Sequence, residues 1–322
     1  MDPLQTIRKM SNATTFAIYQ RNKKRIVLLG DMHTPYEGEN CVAPCNPPKC
    51  FDYIQLIQSL DTYHQKMGTD FDFYLETFSP HNSKSTWNHV KMSFLLYMSS
   101  VLRSILGQSI HLEEVRKEFI KKVYFHERKD VHQRYHYMDI RYDSLYKKNH
   151  MDMIELLKVM MNKDTIAIQK IVRTFYKHYP TCHSYIQQCK TICFGKKSNK
   201  ISKQYHKLEA KDKKLVQHFF DQRMASVMKM FQKRWSEIAT IKKSTHLILF
   251  FTMLLFSTGL LTDIYAICRF LRFFHRQPPG STSLFLTGAA HSTNYIEFLK
   301  MWKARPIKKN QIAKKQSKCI TL

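Results

Sequence analysis

Glycine and proline are scarce, 8 and 10 in 322 residues, which excludes collagen-like, elastomeric and glycine-rich linker architectures. Acidic residues are also few. The 25 Asp and Glu face 52 Lys and Arg, giving a formal charge of +27. The segment Met1–Asn12 has no apolar core, so a secretory signal is not expected, and the chain reads as intracellular. Without an oxidising compartment, the eight cysteines are not expected to form a disulfide framework. Long hydrophobic runs are nearly absent as well. The longest, Leu247–Leu261, falls short of the roughly 20 residues a span requires and contains Thr252, Ser257 and Thr258, so it is read as a core helix rather than a membrane contact.

What is present is ample material for a core: 43% hydrophobic and 13% aromatic residues exclude global disorder. The Lys, Asn, Ile, Tyr and Phe usage is that of an AT-rich genome, so the basicity by itself is weak evidence for a polyanionic partner. Phe16–Tyr19 and Ile26–Leu29, separated by Arg21–Lys24, predict a β-hairpin. A helix is predicted over Phe51–Lys66, a strand over Asp70–Leu75 ending at Glu76, helix between Trp87 and Val123, and a short strand over Tyr135–Ile140 ending in Asp139 and Arg141. From Leu145 to about Lys243 the periodicity is helical, with the basic stretch Lys196–Lys214, which lacks apolar spacing, read as a loop or frayed helix. After a helical Leu247–Phe274, the breaker Pro278-Pro279-Gly280 precedes a strand at Leu284–Leu286 and a helix over Tyr295–Trp302.

The expectation is an α/β (α+β) fold: a small, mainly parallel sheet with helices around it and a large helical insertion in the middle. Its divisions are 1–145, a basic helical insertion at 146–245, a returning α/β half at 246–302, and a flexible Lys-rich tail at 303–322.

One element recurs: Gly-x-x-His at the end of an apolar strand, as Gly30-Asp31-Met32-His33 and as Gly288-Ala289-Ala290-His291. With 8 Gly and 16 His, about 0.4 such spacings are expected by chance. In α/β sheets ligands bind beyond the carboxyl ends of strands, where a glycine lets the chain turn tightly and present the next polar side chain. Glu76 and the Asp139/Arg141 pair end strands too. Imidazoles and a carboxylate can hold a metal or move protons, and a guanidinium can hold an anion. For the long helix, Tyr265 and Arg269 are four apart and share a face, whereas Asp263 and Arg269 do not. Arg269 is therefore the second candidate cation. The groups Cys41/Cys45/Cys50 and Cys182/Cys189/Cys193, the latter with His183, hold enough thiols for a zinc site but lack the usual ligand spacing, and read as unpaired thiols.

These residues resemble the TraB/PrgY, Tiki and ChaN superfamily, related to erythromycin esterase, over roughly the first 80 and last 60 residues. The resemblance rests on Gly30-x-x-His33 with its hairpin, the strand-terminal Glu76, a helix bearing Arg269 and Arg272, and Gly288-x-x-His291. It implies a metal-dependent hydrolase of peptide or ester bonds, with His33, Glu76 and His291 as catalytic groups and ligands of a divalent ion (Mn²⁺, Zn²⁺ or Co²⁺), Arg269 as an anion-holding group, and Gly30 and Gly288 shaping the site. Asp31 is an additional candidate ligand or a departure from the family pattern, and Arg141, outside the resemblance, is the alternative anion-holding group by its place at a strand end. The composition is also similar to that of proteins of large DNA viruses of protists, which would place the chain in a host cytoplasm or a virion. Two other readings stand beside the hydrolase: a non-catalytic virion or nucleic-acid-associated protein using its basic surface on the same fold, and a membrane-associated factor using Leu247–Leu261.

Overall fold

A computed structural model describes residues 1–11, 15–31, 50–51, 53–78, 132–141, 143–240, 244–312 and 319–321. In chain order, helix α1 (Pro3–Thr6) and strand β1 (Lys9–Ser11) precede the hairpin β2 (Thr15–Arg21) and β3 (Lys24–Asp31). Next come β4 (Cys50–Phe51), α2 (Tyr53–Met67), β5 (Phe71–Phe78) and β6 (Gln133–Asp139). A helical run follows: α3 (Ser144–Lys148), α4 (Met153–Met161), α5 (Thr165–His178), α6 (Cys182–Phe194), α7 (Lys200–Tyr205), α8 (Ala210–Gln232), α9 (Trp235–Thr240) and α10 (Ser244–Phe274). The chain then returns to strand β7 (Thr282–Gly288), helix α11 (Ala289–Met301), β8 (Arg305–Ile312) and β9 (Cys319–Thr321). It forms two compact units, Met1–Met138 with Arg276–Leu322, and Asp139–His275.

The first unit is built on a six-stranded sheet of order β6-β5-β7-β3-β2-β8, with a small β4-β1-β9 sheet beside it. Strands β5 and β3 both pair in parallel with β7, while β2 is antiparallel to β3 and β8. The contacts His132–Asp70, Arg134–Asp72 and His136–Tyr74 advance in step along β6 and β5, as neighbours in a parallel pair do. The fold is thus α/β with a mostly parallel sheet. The hairpin closes on Asn22 and Lys23, both with positive φ (50° and 61°), the two-residue geometry that matches the twist of its strands.

Period-two alternation assigns the faces. Phe71, Phe73 and Leu75 of β5, Val27 and Leu29 of β3, and Leu284 and Leu286 of β7 join Leu56, Ile57 and Leu60 of α2 in one buried core. On the other face Tyr74 is sandwiched between His136 (4.3 Å) and Phe285 (4.5 Å), and Tyr295 of α11 packs on Phe285. Although β7 comes after β3, β5 and β6 in the chain, it lies between β5 and β3, so β5 is followed by β6 on one side of it, while α11 and β8 follow β7 on the other. That divergence is a topological switch point, the place at which α/β sheets generally bind ligands.

At the opposite edge, His64 ties α2 to the sheet. Its Nδ1 lies 2.7 Å from Thr69 Oγ1 and its Nε2 2.8 Å from Thr282 Oγ1, and the ring is fully buried. Burial, with Arg25 nearby, pushes its pKa down to about 4. Since the unfolded chain takes up this proton near pH 6.5, the stabilisation is complete above that pH and is lost as pH falls toward 4. The shift corresponds to about 3 kcal/mol. Urea unfolding at pH 7 and pH 4.5 is expected to show this loss for the wild-type chain and a shallower pH slope for His64→Gln.

The second unit is helical, and α10 packs against α4, α6, α7, α8 and α9. Two hydroxyls of α10 are buried with their hydrogen bonds made inside the unit. Ser257 and Thr258 donate to Met253 O and Leu254 O, and Ser257 Oγ also meets Tyr185 Oη at 2.6 Å. Phe175, Trp235, Tyr185 and Phe250 form an aromatic cluster around this helix.

Three sequence expectations need correction. Lys196–Lys214, expected as a loop or frayed helix, holds capped and partly buried helix: Asn199 and Ser202 form a capping box that starts α7, Ile201 and Tyr205 bury one face four residues apart, and α8 begins at Ala210. The long helix expected to open the returning half at 246 lies instead with the helical unit, up to His275. The tail expected to be flexible from 303 carries β8, an edge strand on β2. An edge strand tolerates lysines because their heads reach solvent, and Lys308 also donates to Ile7 O at 2.5 Å. The helix expected between Trp87 and Val123 lies outside the described residues.

Candidate functional site

The second Gly-x-x-His motif lies where β7 becomes α11. Thr287 and Gly288 end the strand, Gly288 caps the helix with extended backbone (φ −63°, ψ 156°), and His291 falls in the first turn. In the parallel register Gly30 sits beside Thr287 and Asp31 beside Gly288, so both motif glycines reach the same edge of the sheet on neighbouring strands. The two motifs, 258 positions apart in sequence, are thereby brought together at their origins.

Gly30 is required by close approach. A Cβ there would lie 2.7 Å from Thr15 Cβ and 2.9 Å from Ser292 Oγ, so β2 and α11 close over it from two sides. Ser292 Oγ also lies 2.9 Å from Thr287 Oγ1, which locks the first turn of α11 to the end of β7.

From the other side β5 supplies Glu76. Its Oε2 accepts the Gly288 N–H at 2.6 Å, and its Oε1 faces His291 Nε2 at 3.4 Å. The carboxylate is 8% exposed, and it sits at a helix N-terminus where the backbone dipole favours negative charge. Glu76 and His291 are 215 positions apart in sequence. Packing on adjacent strand ends leaves one carboxylate oxygen on the backbone and turns the other to the imidazole.

The separation of 3.4 Å is long for a charge-assisted N–H···O bond, which runs about 2.7–2.9 Å. It matches the roughly 3.4 Å between two donors each about 2.1 Å from one tetrahedral ion. That spacing is one that two ligands of a single ion can have. Among the described residues no three His, Cys, Asp or Glu side chains gather around one point. His33 lies outside the described residues, and Asp31 is placed by its backbone alone.

The two arginines have partners in the second unit. Arg141 grips Asp139 through Nε (3.0 Å) and Nη2 (2.6 Å), and Arg269 donates to Tyr265 Oη at 2.9 Å. The four-residue face expected for Tyr265 and Arg269 is therefore observed, and the site geometry at Glu76 and His291 is made within the first unit. Cys182, Cys189 and Cys193 are buried free thiols, with burial pushing Cys189 up to about 12, which disfavours the thiolate a metal needs. Cys41 and Cys45 lie outside the described residues.

Sequence reasoning did not find the Gly288 N–H as partner of Glu76, nor Ser292 and Thr15 as the walls around Gly30. It also passed over a buried network beside the site strand, where Arg134 forks onto Asp72 (2.6 and 2.8 Å) and reaches Asp70 (2.8 Å), while His136 Nε2 meets Asp72 at 2.9 Å. The signal was there: Asp70 and Asp72 interrupt an apolar strand at the spacing of one face. Comparison of the chain with family models, with curated proteins and with solved structures finds no match in any of the three.

Proposed function

We propose that the chain is a metal-dependent hydrolase of peptide or ester bonds, acting at the carboxyl edge of the sheet. The observation that carries this is the Glu76–His291 pair, set by Gly288 at a topological switch point beside the first Gly-x-x-His motif. Glu76 and His291 would hold the ion together with His33 and Asp31 of the first motif. A bound divalent ion there supplies Lewis acidity toward a carbonyl oxygen and a more acidic water. With Oε2 committed to the Gly288 N–H, Oε1 is the oxygen that would either ligate the ion or, with the ion held by the other three residues, accept a proton from water. His291 lies in the first turn of α11, beside the Glu76 carboxylate. The basic surface is available to polyanions, and a salt-titrated nucleic-acid binding assay reads that property separately from hydrolysis.

The test is metal content of the purified full chain, before and after incubation with Mn²⁺, Zn²⁺ or Co²⁺, together with hydrolysis of a panel of peptides and esters. About one equivalent of metal and turnover are expected in the wild type, with both lost in His291→Ala. Retention of metal should weaken as pH drops below the ordinary histidine pKa of about 6.5, because a ligating imidazole must be neutral. A wild-type chain that takes up no metal and cleaves nothing in the panel overturns the proposal.

A further inference from the structure

The outward side of α10 poses a separate question. Over its first half the helix alternates between two environments. Phe250, Met253, Leu254 and Ser257 are buried, whereas Ile248 is 58% and Phe256 44% exposed, with Leu249, Thr252 and Leu255 part-exposed between them. At 3.6 residues per turn, 248, 249, 252, 255 and 256 fall within an arc of about 120°, opposite the buried set. The result is an apolar stripe some two turns long on the outside of a strongly basic protein. The most apolar 18-residue window of this helix has mean hydropathy 2.0 and is 61% buried. One side of the helix is thus committed to its own unit.

The stripe's polar content argues about what covers it. Its single hydroxyl, Thr252 Oγ1, donates to Ile248 O at 2.7 Å and so needs no outside partner. A protein interface ordinarily carries about one hydrogen bond per 100–200 Å². A stripe offering no free donor or acceptor suits an environment that has none to give, which is hydrocarbon. Charge points the same way. Between Glu237 and Asp263 there is no acidic residue, Lys242 and Lys243 directly precede the helix in sequence, and Lys229, Lys233 and Arg234 are exposed on the segment leading to it. The unit Asp139–His275 holds 25 Lys and Arg against 10 Asp and Glu.

We infer that the Ile248–Phe256 stripe docks the protein on an anionic lipid surface, lying in the headgroup–acyl boundary with its basic flanks on the lipid charges and its opposite side remaining in the protein. This use of α10 is independent of the Glu76–His291 site.

The experiment is co-sedimentation of the full-length protein with phosphatidylcholine vesicles, with and without about 30 mol% phosphatidylserine, at low and high salt. Binding to the anionic vesicles is expected, weakened by salt and at least about tenfold weaker to neutral ones. The double variant Ile248→Ser/Phe256→Ser should lose about tenfold or more in affinity for the anionic vesicles. Its thermal midpoint should stay close to wild type, because both side chains are already exposed. Lys233→Glu/Arg234→Glu should also weaken binding. No binding to anionic vesicles overturns the inference. So does binding unchanged by the Ser/Ser variant, which would leave a purely electrostatic patch, and so does a Ser/Ser-sensitive dimer in sedimentation equilibrium without vesicle binding, which would make the stripe a contact between copies.

Discussion

Glu76→Gln should lower turnover by about 10²–10⁴-fold while leaving the fold in place. Glutamine has the same shape, and the surroundings dictate its orientation. Gly288 N–H donates to one terminal oxygen, so the amide must place its oxygen there and turn its NH₂ toward His291. The backbone bond at the helix N-terminus survives, and the substitution removes the negative charge and the oxygen that faces the imidazole. Metal analysis on the same variant then separates two roles. If Glu76 acts only as base, metal remains and turnover falls; if it is a ligand, metal content falls with it. A Glu76→Gln enzyme as active as wild type, at unchanged metal content, would remove Glu76 from the chemistry.

How far the sequence disclosed this site follows from what local pattern can encode. The strands that carry Gly30, Glu76 and Gly288 are readable because alternation and apolar runs are local, and the carboxyl edges of parallel strands coincide by geometry, although β5 runs two residues past Glu76 to Phe78. That Glu76 would be next to Gly288 depends on β7 inserting between β5 and β3, a choice of strand order made by tertiary packing and invisible to periodicity. The arginines illustrate the converse. Arg141 and Arg269 have suitable chemistry, and the four-residue offset of Tyr265 and Arg269 gave their contact correctly, but a one-dimensional pattern does not say which unit uses them. The basic stretches at 196–214 and beyond 303 were misread for a common reason. Lysine density masks Ile201 and Tyr205 in the first case and the backbone pairing of Arg305–Ile312 with β2 in the second.

The buried network on β5 and β6 carries the largest expected effect on stability. Asp72 is fully buried; burial alone would raise its pKa, but the Arg134 fork and the His136 contact outweigh it and hold the carboxyl down at about 2. Gln277 Nε2 adds a further donor to Asp72 and also reaches Ser283 Oγ at 3.1 Å. Replacing Arg134 with Met keeps the stem and removes the guanidinium, leaving a buried charge without its main counter-charge. Such a removal costs about 3–5 kcal/mol. In the wild type this carboxylate contributes stability above the unfolded Asp pKa of about 3.9, which is lost as pH falls toward 2. In Arg134→Met the carboxyl prefers to be protonated in the folded state, so the deficit against wild type should be greatest at neutral pH and shrink on acidification. Adding Asp72→Asn should recover part of the loss, because Asn Oδ1 can accept from His136 and Gln277 without a charge to bury. Urea unfolding of wild type, Arg134→Met and Asp72→Asn/Arg134→Met at pH 7 and pH 4 reads all of these terms. A single variant within about 0.5 kcal/mol of wild type at pH 7 would mean that His136 and Gln277 suffice to hold the Asp72 carboxylate. Asp72, Tyr74 and Glu76 occupy successive positions on one face of β5, so a loss of order at Asp72 is transmitted along the strand that aims Glu76 at His291.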